Sequence, residues 1–215
     1  GLDLDFHVDE TLDPRATTLR VIAETARRYD FQGKINCGHC CAFSIQDETY
    51  VEETLDILTE TNISIVSLPM CNLYLQDRGV DRTPRNRAVT LLHEFKARGI
   101  PVSVASDNTR DPFYGFGDLD MHEVFTQATR IAHLDRPYAD WPRAATVTPA
   151  SVMGLSNTGV IAPGTVADLI LYRGRGFSEL LSRPQLDRIV LRRGKAIDTT
   201  PPDYRELDDL FESAS

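Results

Sequence analysis

The sequence has 215 residues, a hydrophobic content of 41% and a formal net charge of −9, as expected for an ordinary globular protein of one or two domains. Because a negative protein repels phosphate, we expect no nucleic-acid partner. The longest strongly apolar run, from Ile63 to Met70, is too short to span a bilayer, and no charged-then-apolar leader opens the chain; we therefore expect a cytoplasmic protein with no membrane partner.

Four short runs of apolar or β-branched residues predict β-strands, because a stretch with helical signals follows each of them. The strand starts recur at roughly 30–40 residues, which is the length of one strand–helix unit. Parallel strands covered by helices favour a doubly wound sheet or a barrel, and no glycine-rich phosphate fingerprint follows any strand. The predicted strands are Leu2–Phe6, Lys34–Cys37, Ile63–Leu68 and Pro101–Ala105.

Helix signals follow these strands in turn. Asp13–Pro14 is a cap residue followed by a first-turn proline, ahead of apolar residues at helical spacing. Asp47 is predicted to cap the second helix. Pro84 is predicted to open the third helix, which Gly99 would end. A fourth helix is predicted over residues 118–134.

The pattern changes after Leu155, where short strand candidates alternate with proline- and glycine-containing turns. We therefore expect one α/β domain over residues 1–155, a small β module over residues 156–200 and an acidic tail over residues 201–215. A complete eight-stranded barrel takes ~250 residues, so a barrel would be about half present here. The strand candidates of the module are Val160–Ile161, Asp168–Tyr172 and Arg188–Leu191.

Polar residues suited to hydrolytic chemistry follow three of the four predicted strands. His7 and Glu10 follow the first strand, His39 follows the second, and Asp107 follows the fourth. Reactive residues of parallel α/β folds cluster beyond the carboxyl ends of the strands. Neutral imidazole and carboxylate bind Zn²⁺ or Fe²⁺, and a second carboxylate can move protons. The shared position of these residues in successive units favours a metal-dependent hydrolytic site.

The order and spacing of several motifs resemble those of cytosine deaminases in the amidohydrolase superfamily. The resemblance covers nearly the whole chain, and the ordered set is more specific than any single motif. The motifs that carry it are His7–Glu10, Gly38–His39, Ser106–Asn108, Asp111–Tyr114, Leu75–Arg78, Pro84–Arg87 and Gly159–Leu169.

This resemblance implies the C-terminal half of a distorted TIM (β/α)8 barrel, followed by part of a small β-sandwich module. It implies one divalent metal ion, Fe²⁺ or Zn²⁺, with His7 and Asp107 among its ligands. Asp107 would also take the proton of the attacking water, Glu10 would relay a proton to the substrate ring, and His39 would polarise the substrate or stabilise the attacking hydroxide. A His-x-His metal pair and a substrate-holding glutamine of the family have no counterpart here. We therefore expect the chain to need a missing N-terminal barrel half, in the same or a separate polypeptide, and to form a homo-oligomer.

The same resemblance implies a small nucleobase substrate, with conversion of cytosine to uracil and ammonia as the expected reaction. Asn108 stands where the family often has a second aspartate and would orient the ring or leaving amine, while Phe113 would line the pocket and Gln76 would bind substrate. Simple packing by Phe113 and loop stabilisation by Gln76 are equally compatible with the sequence. An amidohydrolase acting on a triazine such as an N-substituted ammelide is an alternative, and so is a catalytically silent half-barrel that serves assembly.

Overall fold

The computed structural model describes residues 1–138 and 140–212, with side chains described up to residue 210. These residues form two compact units, the first comprising Gly1–Val160 and the second beginning at Ile161. Within the described residues, no helix has both the length and the apolar character that crossing a membrane requires.

The first unit is built on a sheet of four parallel strands in sequential order: β1 (Leu4–Val8), β2 (Ile35–His39), β3 (Ile63–Ser67) and β4 (Val102–Val104). All four strands form where they are predicted, but β1 and β2 each continue two residues beyond the predicted end. His7 and His39 therefore belong to the strands and do not follow them. The ladder pairs His7 with Gly38 and Val8 with His39, which brings the ends of the two strands together.

The described residues of this unit form six helices: α1 (Thr18–Arg28), α2 (Glu48–Thr59), α3 (Pro69–Leu75), α4 (Leu92–Ala97), α5 (Met121–Ala132) and α6 (Val147–Val152). They also form two 3-10 turns, Cys41–Ile45 and Trp141–Ala145. The predicted cap of α2 is confirmed, since the Asp47 carboxylate accepts from the backbone N–H groups of Thr49 and Tyr50. Gly99, at a φ of +74°, follows α4 in the left-handed conformation that commonly ends a helix.

The predicted cap of the first helix is wrong. Asp13 accepts hydrogen bonds from Arg15 instead, and α1 begins only at Thr18. Its first N–H groups are held from outside the helix by Asp9, whose Oδ1 accepts from Thr18 N at 2.9 Å and whose Oδ2 accepts from Leu19 N at 2.8 Å. The Asp9 carboxylate, on the loop after β1, therefore caps α1 in place of a residue adjacent to the helix in sequence.

The third helix is much shorter than predicted, and α3 was not predicted at all. Residues 83–91 are irregular, because side chains from the preceding segment take up their backbone groups. The Asp77 carboxylate accepts from Arg85 N and Asn86 N at 2.6 and 2.9 Å, and its pKa is lowered by the Arg82 guanidinium and then by these two amides. These contacts fix the segment between α3 and α4.

The two faces of the parallel sheet differ in chemistry. One face carries apolar side chains such as Cys37 and Ile65, both fully buried, and forms the core. On the other face, Asn36 Nδ2 donates to Asp5 Oδ1 at 2.7 Å and Ser64 Oγ donates to Asn36 Oδ1 at 3.1 Å. A hydrogen-bonded polar row therefore crosses three strands on the face opposite the core.

The second unit contains a three-stranded antiparallel sheet of β5 (Leu169–Leu171), β6 (Ile189–Arg192) and β7 (Lys195–Ala196). It also contains the helices α7 (Phe177–Leu180) and α8 (Asp208–Glu212) and a 3-10 turn at Tyr204–Leu207. The predicted strand at Val160–Ile161 is absent from the described residues. Residues 213–215 of the expected acidic tail lie outside the part of the chain that the structure describes.

We expect Asp9→Ala to lower the free energy of unfolding of the complete protein by about 1–2 kcal/mol, because two N–H groups of α1 lose their acceptor. Urea denaturation measures this change. Asp13→Ala is the matched control, since the exposed Asp13–Arg15 pair contributes little. Equal destabilisation by the two substitutions would contradict the capping role of Asp9.

Candidate active site

Three side chains from distant parts of the sequence meet at the carboxyl end of the parallel sheet. One ligand atom each from Glu10, His39 and Asp107 lies within 4.8 Å of the others. His7 joins this group through His39, whose Nε2 lies 3.0 Å from His7 Nδ1. The four residues expected to carry the chemistry therefore form one connected cluster.

The backbone turns sharply where these residues leave the strands. His39 and Asp107 have φ values of +70° and +64°, and Asp9, next to Glu10, has a φ of +51°. The left-handed conformation is disfavoured for residues other than glycine, and such strain concentrates at functional sites. These turns direct side chains from separate strands toward a common point.

Asn72 is a member of the cluster that the sequence analysis missed. It lies on α3, directly after β3, and is 1% exposed. Its Nδ2 donates to Glu10 Oε1 at 3.0 Å and lies 2.9 Å from His39 Nδ1. The sequence analysis placed polar candidates at the ends of the first, second and fourth strands and none at the end of the third. That gap was the signal that could have pointed to Asn72.

Asn108 organises the loop that follows β4. Its Nδ2 donates to Asp111 Oδ2 at 2.6 Å, and its Oδ1 accepts from Cys71 Sγ at 3.3 Å. Asp111 Oδ1 in turn accepts from the backbone N–H groups of Phe113 and Tyr114, both at 2.9 Å. The Tyr114 amide and then the Asn108 side chain lower the pKa of the Asp111 carboxyl. The contacts of Asn108 hold this turn, and its contact with substrate stays a prediction.

Gln76 and Phe113 line a cavity beside the cluster. The Gln76 amide is engaged on both sides by Ala88, with Nε2 donating to Ala88 O at 2.9 Å and Oε1 accepting from Ala88 N at 2.6 Å. These contacts are those of a loop-stabilising residue, and substrate binding by Gln76 stays a prediction. Phe113 is 62% exposed. The cavity has a volume of about 470 Å³ and is lined by Glu10, Thr11, Leu12, Leu75, Gln76, Asp77 and Phe113.

The donor set of the cluster fits a divalent metal ion. Imidazole nitrogens and carboxylate oxygens are ligands for both zinc and iron, and ligand atoms bound to one ion at ~2.0–2.2 Å must converge on a common point. Glu10, His39 and Asp107 each bring one ligand atom to within 4.8 Å of the others, which makes this group a candidate metal site. The expected ligand His7 lies outside that trio and faces His39, so its pairing with Asp107 stays a prediction.

The cysteines beside the site are kept as neutral thiols. Burial, and next the Asp107 carboxylate, raise the pKa of the Cys71 thiol to about 12. Burial also raises the pKa of Cys37 and Cys41 to about 12. Since the thiolate is the nucleophilic and metal-binding form, these side chains act as small apolar groups near neutral pH.

Residues 1–195 match the model of the amidohydrolase family, and the chain belongs to that family. It is 57% identical over 211 residues to a pterin deaminase of Rhizobium rhizogenes, covering 98% of this chain and 48% of that protein. It is 22% identical over 172 residues to N-isopropylammelide isopropyl amidohydrolase of Pseudomonas sp., covering 79% of this chain and 39% of that protein.

Among solved structures, the 5-methylcytosine deaminase of Klebsiella pneumoniae liganded with 5-fluorocytosine superposes with a TM-score of 0.78 at 27% identity. The superposition covers 93% of this chain and 49% of that one. The chain thus spans about half the length of the relatives it matches. Its four-stranded parallel sheet is half of an amidohydrolase barrel.

Asp107→Ala should lower metal affinity at least ~10-fold in the complete protein, because the cluster loses one of its two carboxylates. Metal content after gel filtration, measured by plasma mass spectrometry, tests this. Asp118→Ala is the control, because Asp118 is exposed and pairs with Arg110. Full metal retention by the Asp107 variant would exclude that carboxylate as a ligand.

Proposed function

We propose that the complete protein containing this chain is a metal-dependent aminohydrolase that deaminates a pterin-type ring. The observation that carries the proposal is the convergence of Glu10, His39 and Asp107 at the carboxyl end of the sheet. The 57% identity to a pterin deaminase over nearly the whole chain supports the substrate class.

His7 and Asp107 are the proposed ligands of one divalent ion in the completed barrel. Such an ion lowers the pKa of a bound water and so makes a hydrolytic nucleophile available near neutral pH. His39 lies between His7 and Glu10, 3.0 Å from the first and 3.3 Å from the second, where it can hydrogen-bond the reacting groups.

The two carboxylates divide the proton transfers. Asp107 accepts a proton from the attacking water while the water oxygen bonds to the amino-bearing ring carbon. Glu10, starting as the carboxylic acid, gives its proton to the adjacent ring nitrogen; it then takes the proton of the added hydroxyl and passes it to the departing amine. The proton left on Asp107 returns to Glu10 before the next turnover. The carbon–nitrogen bond breaks, ammonia leaves and the ring keeps an oxo group. Asn72 holds one oxygen of Glu10, which leaves the other oxygen for this exchange.

The cavity beside Glu10 has room for a flat heterocycle of the pterin class. Its volume of about 470 Å³ is in the range of small-ligand sites. Phe113 offers a ring face for stacking. Asn108 supplies an uncharged amide where related cytosine deaminases are expected to carry a second aspartate, which favours a substrate other than cytosine.

Cytosine or 5-methylcytosine is the second candidate substrate, because the Klebsiella enzyme superposes on most of this chain at 27% identity.

The completing barrel half, a homo-oligomeric assembly and a cytoplasmic location stay predictions. Native mass spectrometry of the purified protein measures the first two.

A substrate panel separates these candidates. We expect ammonia release from pterin with kcat/KM at least ~10-fold above that for cytosine, 5-methylcytosine or N-isopropylammelide. If the enzyme prefers cytosine or a triazine, the proposed substrate class is wrong, but the proposed reaction, hydrolytic deamination, stands. Absence of ammonia or alkylamine from every substrate, with stoichiometric metal bound, would favour a catalytically silent assembly module.

Glu10→Gln should lower kcat by a factor of ~10²–10⁴, the usual contribution of a general acid–base group. The Gln carbonyl can still accept from Asn72, so metal content and stability should be retained. Glu48→Gln, on the exposed first turn of α2, serves as the matched control. Wild-type kcat in the Glu10 variant would remove this residue from the mechanism.

A further inference from the structure

We propose that Asp111 is the positioning residue that holds Phe113 against the cavity beside Glu10, and that this contact determines how tightly the protein binds its flat substrate. The inference rests on the proposed function, because it assigns a role in substrate affinity to the cavity of that same site. Among the described residues, Asp111 is not part of the cavity lining, so it acts through Phe113.

Phe113 forms one side of the cavity by itself. Among the described lining residues, it alone comes from the loop after β4. The others belong to the loop after β1, to the end of α3 or to the segment that follows α3: Glu10, Thr11, Leu12, Leu75, Gln76 and Asp77. A flat ring in the cavity therefore meets the loop after β4 at this one side chain, and aromatic side chains stack on such heterocycles.

The Asp111 carboxylate holds the backbone that carries Phe113. Its Oδ1 accepts from the N–H groups of Phe113 and Tyr114, both at 2.9 Å. The backbone closes the same turn with a hydrogen bond from Asp111 N to Tyr114 O at 3.1 Å. An aspartate that binds backbone groups two and three residues ahead fixes a tight turn. The two N–H groups on either side of the Phe113 Cα atom are therefore tied to one carboxylate.

Two further contacts fix this turn to the rest of the first unit. Asp111 Oδ2 accepts from Asn108 Nδ2 at 2.6 Å, and Asn108 is in turn held by Cys71 of α3. The Tyr114 ring packs edge-on against Tyr74 of α3, with ring centroids 5.1 Å apart. The position of Phe113 is thus set from the loop after β4 and from α3 together.

The turn needs this support, because its backbone is not in a relaxed conformation. Arg110, directly before Asp111, has a φ of +49°, which is disfavoured in residues other than glycine and persists where surrounding contacts hold it. Phe113 makes no ring–ring contact with another described residue and is 62% exposed. Without the Asp111 carboxylate, we therefore expect the turn to relax and Phe113 to lose its fixed position beside the cavity.

Amide hydrogen exchange tests the structural part of the inference without turnover. In the complete, metal-loaded protein, loss of the acceptor in Asp111→Ala should make the Phe113 and Tyr114 amides exchange at least ~5-fold faster than in the wild type. Asp111→Asn keeps an oxygen that can accept from both amides, so its exchange should rise less. Asp118→Ala is the matched control, because this exposed carboxylate near the same turn pairs only with Arg110 in the described ion pairs and contributes little.

Binding measurements test whether Asp111 acts through Phe113. Equilibrium dialysis gives dissociation constants for pterin, cytosine, 5-methylcytosine and N-isopropylammelide in the Glu10→Gln protein, in which we expect slow turnover. Removing a stacking aromatic side chain weakens binding of a heterocyclic base by about 5–150-fold, so Phe113→Ala should weaken binding of the preferred ring at least ~5-fold. Asp111→Ala should cause a similar loss, and the double variant should lose no more than Phe113→Ala alone. Phe113→Tyr keeps the aromatic ring and should retain affinity.

Kinetics with Glu10 in place supply a readout that a general loss of structure would not give. Asp111→Ala and Phe113→Ala should each raise KM at least ~5-fold and change kcat less than ~3-fold, because they remove binding that is equal in the ground and transition states. Thermal unfolding checks that each variant is folded. If Asp111→Ala does not fold, Asp111→Asn takes its place in the same comparisons.

The outcomes separate this inference from the proposed function. Slow exchange of both amides retained in the Asp111 variant, unchanged affinity in Phe113→Ala, or a double variant whose loss is the product of the two single losses would each overturn the inference. The expected exchange and affinity changes in a protein that releases no ammonia would support the inference and overturn the proposed function. Deamination with an affinity independent of Phe113 would do the reverse, and a wild type that binds none of the four rings would overturn both.

Discussion

The structure depends on the parallel alignment of its strands, since parallel strands in sequential order all end at the same edge of a sheet. β1, β2 and β4 thereby bring Glu10, His39 and Asp107 to one point although long stretches of sequence separate them. The left-handed turns at His39 and Asp107 have a conformational cost. The hydrogen bonds of the surrounding loops offset this cost by holding the turned conformations.

α3 connects these loops to one another. Along its length, Cys71 contacts Asn108, Asn72 contacts Glu10 and His39, and Gln76 at its end binds Ala88. The helix is short and has little intrinsic stability. Four of its seven residues are buried, and the side chains of Cys71 and Asn72 are hydrogen-bonded to other elements, so tertiary contacts stabilise it. A change in α3 would therefore affect several loops of the site together.

These features also explain what could be predicted from the sequence. Local runs of apolar residues indicate the strand positions, which could therefore be predicted. The order of the motifs indicates that four residues lie close together, and this grouping could be predicted as well: His7, Glu10, His39 and Asp107. The capping of α1 by Asp9 and the irregular segment before α4 depend on contacts between residues far apart in sequence, and local signals at Asp13 and Pro84 were misleading. A buried asparagine is recognisable as functional only when its partners are known.

The two faces of the sheet show why four strands are only part of an amidohydrolase barrel. Parallel sheets normally have both faces covered. Here the apolar face is buried within the first unit, whereas the opposite face carries the hydrogen-bonded row of Asp5, Asn36 and Ser64 and the exposed His7. A closed barrel turns this face inward, beneath the reacting groups. The polar row satisfies its own hydrogen bonds, so enclosure on this side would not leave these side chains without partners.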